Sequence, residues 1–410
     1  MHLSITTELL GEHPPLLDIA IPGIDDQEIT SWVRGGDGLV GFGIHKRHAV
    51  SGPDRFTEAR KWWRNSINEF DIRNNLHGAG TGPILFSSFS FDSSEESQLI
   101  IPKVVIGQRN GKSWITWIGD QSQPQLSRAS DKRAPLHLSW SGSNGDVWQE
   151  RVARAIEKIK VGKLEKVVLA RFTTATSDST ISARPILNYL SSEYPSTWIY
   201  SNDGLIGATP ELLVRLSKSL ITSRILAGTI RKTGDDERDL ALAGSLARSS
   251  KDLEEHEYAV RSVADALAPF CSSMNVPESP FVLHLSNVMH LATDVTGVLS
   301  DNSSPSDIFE LVARLHPSAA VCGTPTEVAK RTIDEIEGIS RGRYAGPVGW
   351  IDAKGDGELG IALRCGQISH DKKSIRIYAG CGIVAGSDPE REYAESQAKL
   401  LPMRSALERY

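Results

Sequence analysis

The sequence contains few cysteines, and none of them is paired for metal or disulfide chemistry. Its 410 residues include four, Cys271, Cys322, Cys365 and Cys381, and they form no C-x-x-C motif. Scattered single cysteines predict reduced, packed thiols in a cytoplasmic protein rather than a disulfide framework.

The chain also lacks the features of membrane proteins and of general nucleic-acid binders. No apolar run approaches the roughly 20 residues of a membrane-spanning helix. The first residues lack a basic region followed by an apolar core, which predicts that there is no signal peptide. A formal net charge of −6 argues against general nucleic-acid binding. The 40% hydrophobic and 23% charged content describes a globular chain that can bury a core.

The organisation of the chain changes near residue 145. Before it, short apolar runs such as 104–106 predict strands, residues 55–70 predict a helix, and no catalytic constellation stands out. After it, helices alternate with hairpin-like strand pairs, which favours an α+β fold with antiparallel sheets. We therefore expect an N-terminal part, 1–145, and a catalytic core, 146–410, within one structural domain; the polar segment 120–145 predicts a surface connection.

Several elements of the core have clear signals. Residues 146–159 predict a helix that begins with a capping box of Asp146 and Gln149. The remaining elements predicted from apolar periodicity are a helix at 251–268 and strands at 166–171, 345–351 and 360–368.

Two acidic pairs share one spacing. Asp252 and Glu255 form one pair and Glu392 and Glu395 the other, each at i, i+3 on a predicted helix, so each pair lies on one helical face. Two such faces together give an oxygen-rich site suited to Mg²⁺. The same spacing is common on solvated helices, so the spacing alone does not choose between these interpretations.

A glycine-rich segment precedes the second pair. The pattern over Ser374–Pro389 predicts a strand, then a glycine-rich turn, and then a helix with Asp388 as N-cap and Pro389 at the first position. Glycines let backbone N–H groups approach an anion closely. Lys399 is either the partner of Glu395 in an ordinary i, i+4 pair or a cation beside an anionic substrate.

Five further residues carry functional alternatives. Lys166, in an apolar strand, is either a solvated edge residue or a buried amine with a lowered pKa. Glu211 is either an exposed turn carboxylate or a buried acid that donates a proton. Arg364 interrupts an apolar strand, and a buried arginine requires an anion. Tyr344 is a potential hydrogen-bond donor, and His290 is either a satisfied core histidine or part of a site.

A set of motifs in order gives these residues a common context. The set is KVVLAR from Lys166, ATPELL from Ala208, LAGT from Leu226, KDLEEH from Lys251, VMHL from Val288, LHPSAA from Leu315, YAGPVG from Tyr344, IALR from Ile361, AGCGIV from Ala379, and Glu392-x-x-Glu395-x-x-x-Lys399. Over about residues 146–402 it resembles the chorismate-utilising enzymes: isochorismate, salicylate, anthranilate and aminodeoxychorismate synthases. The resemblance implies a large α/β sandwich of two facing antiparallel β-sheets flanked by helices.

The resemblance also implies roles for these positions. Glu255 and Glu395 match direct Mg²⁺ ligands, and Asp252 and Glu392 match partners that reach the metal through water. The metal holds the ring carboxylate of the substrate, chorismate. Arg364 and Tyr344 match contacts to the enolpyruvyl carboxylate. The full implied substrate-binding set is Ala227, Gly228, Thr229, His290, Tyr344, Arg364, Gly380, Cys381, Gly382 and Lys399.

The family members differ in the nucleophile. Ala227 stands where aminodeoxychorismate synthases of this family carry a nucleophilic lysine, whereas Lys166 matches the base of isochorismate and salicylate synthases. The resemblance therefore implies water attack at ring carbon 2 assisted by Lys166, with Glu211 protonating the departing 4-hydroxyl. No glutamine amidotransferase segment is fused, and we expect no such subunit. Cys381 departs from the small alanine that the family usually has at this position.

The motifs alone leave other functions open. A salicylate synthase shares Lys166, Glu211 and the metal site, and an anthranilate synthase would instead use ammonia. A dinucleotide-binding oxidoreductase is disfavoured, because the helix after Gly386 runs almost to the end of the chain and leaves no second strand. A catalytically inactive binding protein is disfavoured because the matched residues are intact. The pathway (menaquinone, siderophore or salicylate) is not encoded in these motifs, and we expect a monomer because no apolar stripe is exposed.

Overall fold

A computed structural model describes residues 3–25, 27–130, 135–142, 144–300 and 307–410. Within these residues, eight α-helices accompany a large network of strands, which confirms the predicted α+β class. The helices are α1 Arg55–Ile67, α2 Gly145–Lys160, α3 Ala183–Glu193, α4 Asp236–Leu246, α5 Ser250–Leu267, α6 Ile308–Leu315, α7 Thr326–Glu337 and α8 Pro389–Glu408.

The strands pair antiparallel throughout this network, except for β1 with β5. In the described residues, β2 and β9 form a separate two-stranded sheet. The strands are β1 Leu3–Leu10, β2 Ile19–Ala20, β3 Ile29–Arg34, β4 Asp37–Val50, β5 Phe70–Asn74, β6 Ile84–Ser88, β7 Ser97–Arg109, β8 Lys112–Ile118, β9 Ser127–Arg128, β10 Leu138–Gly142, β11 Lys166–Ser177, β12 Trp198–Asn202, β13 Leu205–Thr209, β14 Leu212–Ser217, β15 Leu220–Arg231, β16 Cys271–Asn275, β17 Phe281–His284, β18 Val288–Leu299, β19 Gly323–Thr324, β20 Pro347–Asp352, β21 Gly357–Ile361, β22 Cys365–Ile368 and β23 Ser374–Ile383.

The N-terminal strands pair directly with strands of the predicted core. β3 pairs with β12, and β6 pairs with β20, so hydrogen-bond ladders cross the change of pattern at residue 145. The domain boundaries themselves stay a prediction. The polar segment 120–145 contains the short strands β9 and β10, and its residues 131–134 and 143 lie outside the described residues.

Helix α2 shows how the core is filled. Trp148, Val152, Ile156 and Ile159 are all buried, as the helical periodicity predicted. The predicted capping box at Asp146 and Gln149 is wrong, because the N-cap is Asn144, whose side chain accepts from the backbone N–H of Asp146. The chain enters the helix one residue earlier than expected, and an asparagine serves the same capping role as an aspartate.

Two other predicted elements differ from the structure. The predicted strand 360–368 is interrupted at 362–364, between β21 and β22, where Arg364 has a positive φ of 48°. The predicted glycine-rich turn before α8 begins only after Ile383, at 385–386, because β23 continues through Gly380 and Gly382 as the antiparallel partner of β11. Val168 lies opposite Gly382 and Ala170 opposite Gly380, so pairing with a neighbouring strand outweighs the local preference of glycine for turns.

The two helices that carry the acidic pairs pack near this ladder. Helix α5 lies against β15 and β18, and helix α8 lies against β23. Helix α8 begins as predicted, with Asp388 as an N-cap that accepts from the N–H of Arg391 and with Pro389 in its first turn. None of the helices in the described part of the chain is both long and apolar enough to cross a membrane.

Candidate active site

A cavity forms where β11, β15, β18, β23 and helix α5 converge. It encloses about 570 Å³ of space, including solvent at its mouth. Eleven of the sixteen predicted site residues line it: Glu211, Ala227, Gly228, Thr229, Glu255, His290, Tyr344, Arg364, Gly380, Gly382 and Lys399. The other five do not line it: Lys166, Asp252, Cys381, Glu392 and Glu395.

Lys166 is a buried amine, which excludes the alternative of a solvated edge. Its side chain is 0% exposed, and Nζ lies 3.3 Å from the backbone oxygen of Glu255 and 3.4 Å from Oε1 of the same residue. Burial lowers the pKa of Lys166, and the negative charges of Glu255 and Glu211 oppose this shift. The side chain is therefore one residue away from the cavity, in contact with a carboxylate that lines it.

Gly382 creates the space in which Lys166 and Glu255 meet. A Cβ at Gly382 would lie 2.0 Å from Oε1 of Glu255 and 3.1 Å from Cε of Lys166. No side chain fits there without displacing the carboxylate. The absence of a Cβ at this point of β23 is thus a condition for the observed contact between Lys166 and Glu255.

Glu211 is a buried acid, which excludes the alternative of an exposed turn carboxylate. It follows Pro210 in the link between β13 and β14, and its backbone N–H donates to Oγ1 of Thr209 at 3.3 Å. Burial raises the pKa of Glu211 to about 8, although the cations of Lys166, Arg364 and Lys399 lower it. Glu211 therefore retains a proton at neutral pH, as a general acid requires.

His290 is neutral and orients Arg364. Its Nε2 lies 3.0 Å from Nη2 of Arg364, which can only donate, so Nε2 accepts and the ring proton is on Nδ1. Nδ1 lies 3.1 Å from Oγ1 of Thr229 and 3.3 Å from the backbone oxygen of Gly228. Burial and the charge of Arg364 lower the pKa of His290 well below its ordinary value. Both alternatives for His290 therefore describe the structure: its two ring nitrogens have hydrogen-bond partners inside the protein, and the residue also lines the cavity.

Arg364 presents a buried positive charge to the cavity. It is buried, and within the described residues no carboxylate lies within ion-pair distance of its guanidinium. Its positive φ of 48° is a costly conformation for a residue with a side chain. A buried cation of this kind favours an anionic ligand.

Tyr344 adds a hydrogen-bond donor above Gly380. A Cβ at Gly380 would lie 2.8 Å from the Tyr344 hydroxyl, so the glycine admits this close approach. The ring of Tyr344 stacks on Tyr378 with centroids 4.9 Å apart. Burial raises the pKa of Tyr344 well above its ordinary value, so its hydroxyl keeps its proton and donates.

The structure places the second acidic pair in a shared cluster. One carboxylate oxygen of Glu392, one of Glu395 and the sulfur of Cys381 all lie within 4.8 Å of one another. Lys251 donates to Oε1 of Glu392 at 2.6 Å, and Lys399 donates to Oε1 of Glu395 at 2.5 Å. Burial and the neighbouring Glu395 raise the pKa of Glu392 to about 7.

The first acidic pair comes close to the cavity from helix α5. Glu255 lines the cavity, and the side chain of Asp252 lies at Gly228, where a Cβ would be 3.0 Å from the Cβ of Asp252. This contact links the metal-site prediction to the loop predicted to line the substrate ring. Lys251 of α5 donates to Glu392 of α8, so tertiary packing, not the spacing within each pair, brings the two helices together.

One observation indicates that the acidic residues can bind a divalent cation. Oε2 of Glu392 is buried and has no hydrogen-bond partner in the part of the chain that the structure describes. A buried carboxylate oxygen without a partner is costly, and a cation bound by oxygen ligands satisfies it. The thiol of Cys381 has a pKa raised by burial and by Glu395, so it is protonated and is a poor ligand for a hard ion such as Mg²⁺.

Sequence reasoning missed Arg341 and Glu337. Arg341 lines the cavity, donates to both carboxylate oxygens of Glu337, and also donates to the backbone oxygens of Val168 and Val321. Glu337 accepts the N–H of Ala170 at 2.7 Å. This buried pair satisfies the free edge of β11 beyond β19. The i, i+4 spacing of an acid and an arginine was visible in the sequence, but the same spacing is ordinary on solvated helices.

Comparisons of the sequence and of the structure with known proteins both find chorismate-binding enzymes. A family model described as "Chorismate binding enzyme" matches residues 32–125 and 119–408. The chain is 32% identical to isochorismate synthase MenF of Bacillus subtilis over 86% of this chain and 81% of that protein. It is 33% identical to isochorismate synthase DhbC of the same organism over 82% of this chain and 83% of that protein. The solved structure of MenF, the menaquinone-specific isochorismate synthase from Escherichia coli, shares the fold, with a TM-score of 0.80 at 24% identity over 99% of this chain and 95% of that chain.

Proposed function

Because the chain belongs to the chorismate-binding enzyme family, we propose that it is an isochorismate synthase, which converts chorismate to isochorismate. The observation that supports this proposal most directly is that burial shifts the pKa values of two groups at this site in opposite directions. Burial lowers the pKa of Lys166 and raises that of Glu211 to about 8. A base and an acid poised in this way match the two proton transfers of the reaction.

In the proposed mechanism, a water molecule adds to ring carbon 2. Neutral Lys166 takes the proton that this water loses, and both ring double bonds shift as the carbon–oxygen bond at carbon 4 breaks. Glu211 protonates the departing hydroxyl, which leaves as water. One water enters and one leaves, so the reaction is an isomerisation. Ala227 offers no amine to compete as the nucleophile.

The charge of the cavity supports a dianionic substrate. Arg364 and Lys399 line it, and Arg364 lacks a carboxylate partner among the described residues. We assign the enolpyruvyl carboxylate to Arg364 and to the hydroxyl of Tyr344. His290 fixes the plane of the Arg364 guanidinium through its 3.0 Å contact, and a bidentate cation–carboxylate contact depends on that orientation.

A magnesium ion completes the proposed site. Glu255 and Glu395 would hold it directly, and Asp252 and Glu392 through water. When bound, it supplies Lewis-acid polarisation and anchors the ring carboxylate. The unpartnered Oε2 of Glu392 supports this assignment. We further propose that the enzyme is a cytoplasmic monomer that acts without an amidotransferase subunit.

The decisive experiment is a product analysis. The pure protein is incubated with chorismate and Mg²⁺, and the products are separated by chromatography. Isochorismate without pyruvate is the expected result. Equimolar salicylate and pyruvate would reassign the chain as a salicylate synthase, and anthranilate formed with ammonia would reassign it as an anthranilate synthase component.

A further inference from the structure

Cys381 places a sulfur atom in the acidic cluster. It lies on β23 between two glycines that line the cavity, and its own side chain contacts helix α8. The side chain is 1% exposed, and Sγ donates to the backbone oxygen of Glu392 at 3.3 Å. Sγ and one oxygen each of Glu392 and Glu395 lie within 4.8 Å of one another. Three potential ligand atoms of mixed hardness therefore share one buried space.

A second observation indicates that this space suits a cation. Glu392 is 1% exposed, and its Oε2 has no hydrogen-bond partner within the described residues. Its other oxygen accepts from Lys251 at 2.6 Å, so one positive charge already neutralises part of the cluster. The remaining oxygen belongs to the same carboxylate that lies beside Sγ.

We propose that Cys381 gives the metal site a second binding mode for thiophilic divalent cations such as Zn²⁺, which bind through Sγ of Cys381 and the carboxylates of Glu392 and Glu395. Zinc accepts cysteine sulfur together with carboxylate oxygen and commonly takes three protein ligands and one water. Magnesium prefers oxygen ligands and water, so it uses the carboxylates alone. The inference rests on the proposed function in one respect: Glu392 and Glu395 belong to both the proposed magnesium site and the proposed zinc site.

The binding step is balanced without any redox partner. The S–H bond of Cys381 breaks, its proton passes to the buffer, and a metal–sulfur bond forms. The alanine usual at this position in the family offers no ligand atom, so the second mode is a property of this chain's own cysteine. It predicts that Zn²⁺ and Mg²⁺ exclude each other from the site.

The test uses the full chain and the metals alone. Co²⁺ is added as a spectroscopic probe, and Zn²⁺ and Mg²⁺ affinities are measured by calorimetry for the wild type, Cys381→Ala and Cys381→Ser. Cys271→Ser is the matched control, because Cys271 is a free thiol on β16, outside the site. We expect a thiolate-to-cobalt charge-transfer band in the wild type and in the control, and its loss in both Cys381 variants.

The affinities give a second, independent readout. The Cys381 variants should bind Zn²⁺ roughly 10- to 100-fold more weakly, since even partners outside the ligand shell contribute that much, and Mg²⁺ within about twofold of the wild type. A band of unchanged intensity in Cys381→Ala, or an unchanged Zn²⁺ affinity, would overturn the inference. If the band appears but chorismate is not converted with Mg²⁺, the proposed function fails while the sulfur site stands.

Discussion

Replacing Gly382 by alanine tests the geometry of the proposed base directly. The new Cβ would lie 2.0 Å from Oε1 and 2.7 Å from Cδ of Glu255, and 3.1 Å from Cε of Lys166. Real Cβ contacts are essentially never shorter than 3.0 Å, so the carboxylate must recede by about 1 Å or more. The backbone of Gly382 is held by its pairing with β11 and cannot absorb the shift cheaply.

The expected consequence is a large loss of activity. Glu255 contacts Lys166, the proposed base, and is a proposed ligand of the metal ion, so its displacement would change both the base and the metal site. A misplacement of about 1 Å at a reacting centre costs on the order of 100-fold in rate. We therefore expect kcat/KM for chorismate to fall by about two powers of ten, with the loss mainly in kcat.

A matched control separates this effect from the general cost of an alanine. A Cβ at Gly386, just beyond β23, would meet only Cγ of Lys251 at 4.0 Å, which is an ordinary contact. Gly386→Ala should therefore retain activity within about threefold. The assay is steady-state isochorismate formation, with thermal unfolding measured for both variants. A Gly382→Ala protein that is folded and keeps more than a third of the wild-type kcat/KM would refute the reasoning.

Further predictions concern individual groups of the site. The pKa of Glu211 is raised to about 8, so its acid form is present below that pH. We therefore expect kcat/KM to fall as the pH rises through about 8. In Glu211→Gln, this fall on the alkaline side of the pH profile should be absent. Because the pKa of Glu211 is higher in the folded protein than in the unfolded chain, its contribution to the free energy of unfolding is largest below the unfolded-state pKa. That contribution is lost as the pH rises through about 8. Lys166→Ala should lower kcat by about two to four powers of ten, and full activity would contradict its role as base. Arg364→Lys should raise KM roughly 10- to 100-fold, the equivalent of a charged hydrogen bond of about 1.5–3 kcal/mol; an unchanged KM would reassign the enolpyruvyl carboxylate. Removal of divalent cations by a chelator should abolish turnover and added Mg²⁺ restore it, whereas turnover that survives the chelator would exclude the metal role.

The nature and order of the local elements could be predicted from the sequence. Helix α8 was identified with its cap because Asp388 and Pro389 act on the backbone within a few residues. The buried face of α2 followed from helical periodicity. The candidate residues of the site followed from a set of motifs in a fixed order, and the match to the family model confirms the family that these motifs indicate; the roles of the residues stay a prediction.

Local signals failed where a neighbouring strand or residue competes with them. Gly380 and Gly382 favour a turn by composition, yet they lie in a strand, because ten paired positions between β11 and β23 outweigh the local preference of two glycines. The cap of α2 shifted to Asn144 because several nearby residues have the same capping chemistry.

Sequence alone determined which chemical groups are available and on which elements they stand. Only the tertiary structure decided their protonation and their neighbours. Lys166 is buried because β23, α5 and the cavity wall surround it, and desolvation depends on contacts far apart in the chain. The proton of His290 lies on Nδ1 because Arg364, 74 residues away, occupies Nε2. Such long-range contacts set electrostatic energies, and no local pattern of residues contains them.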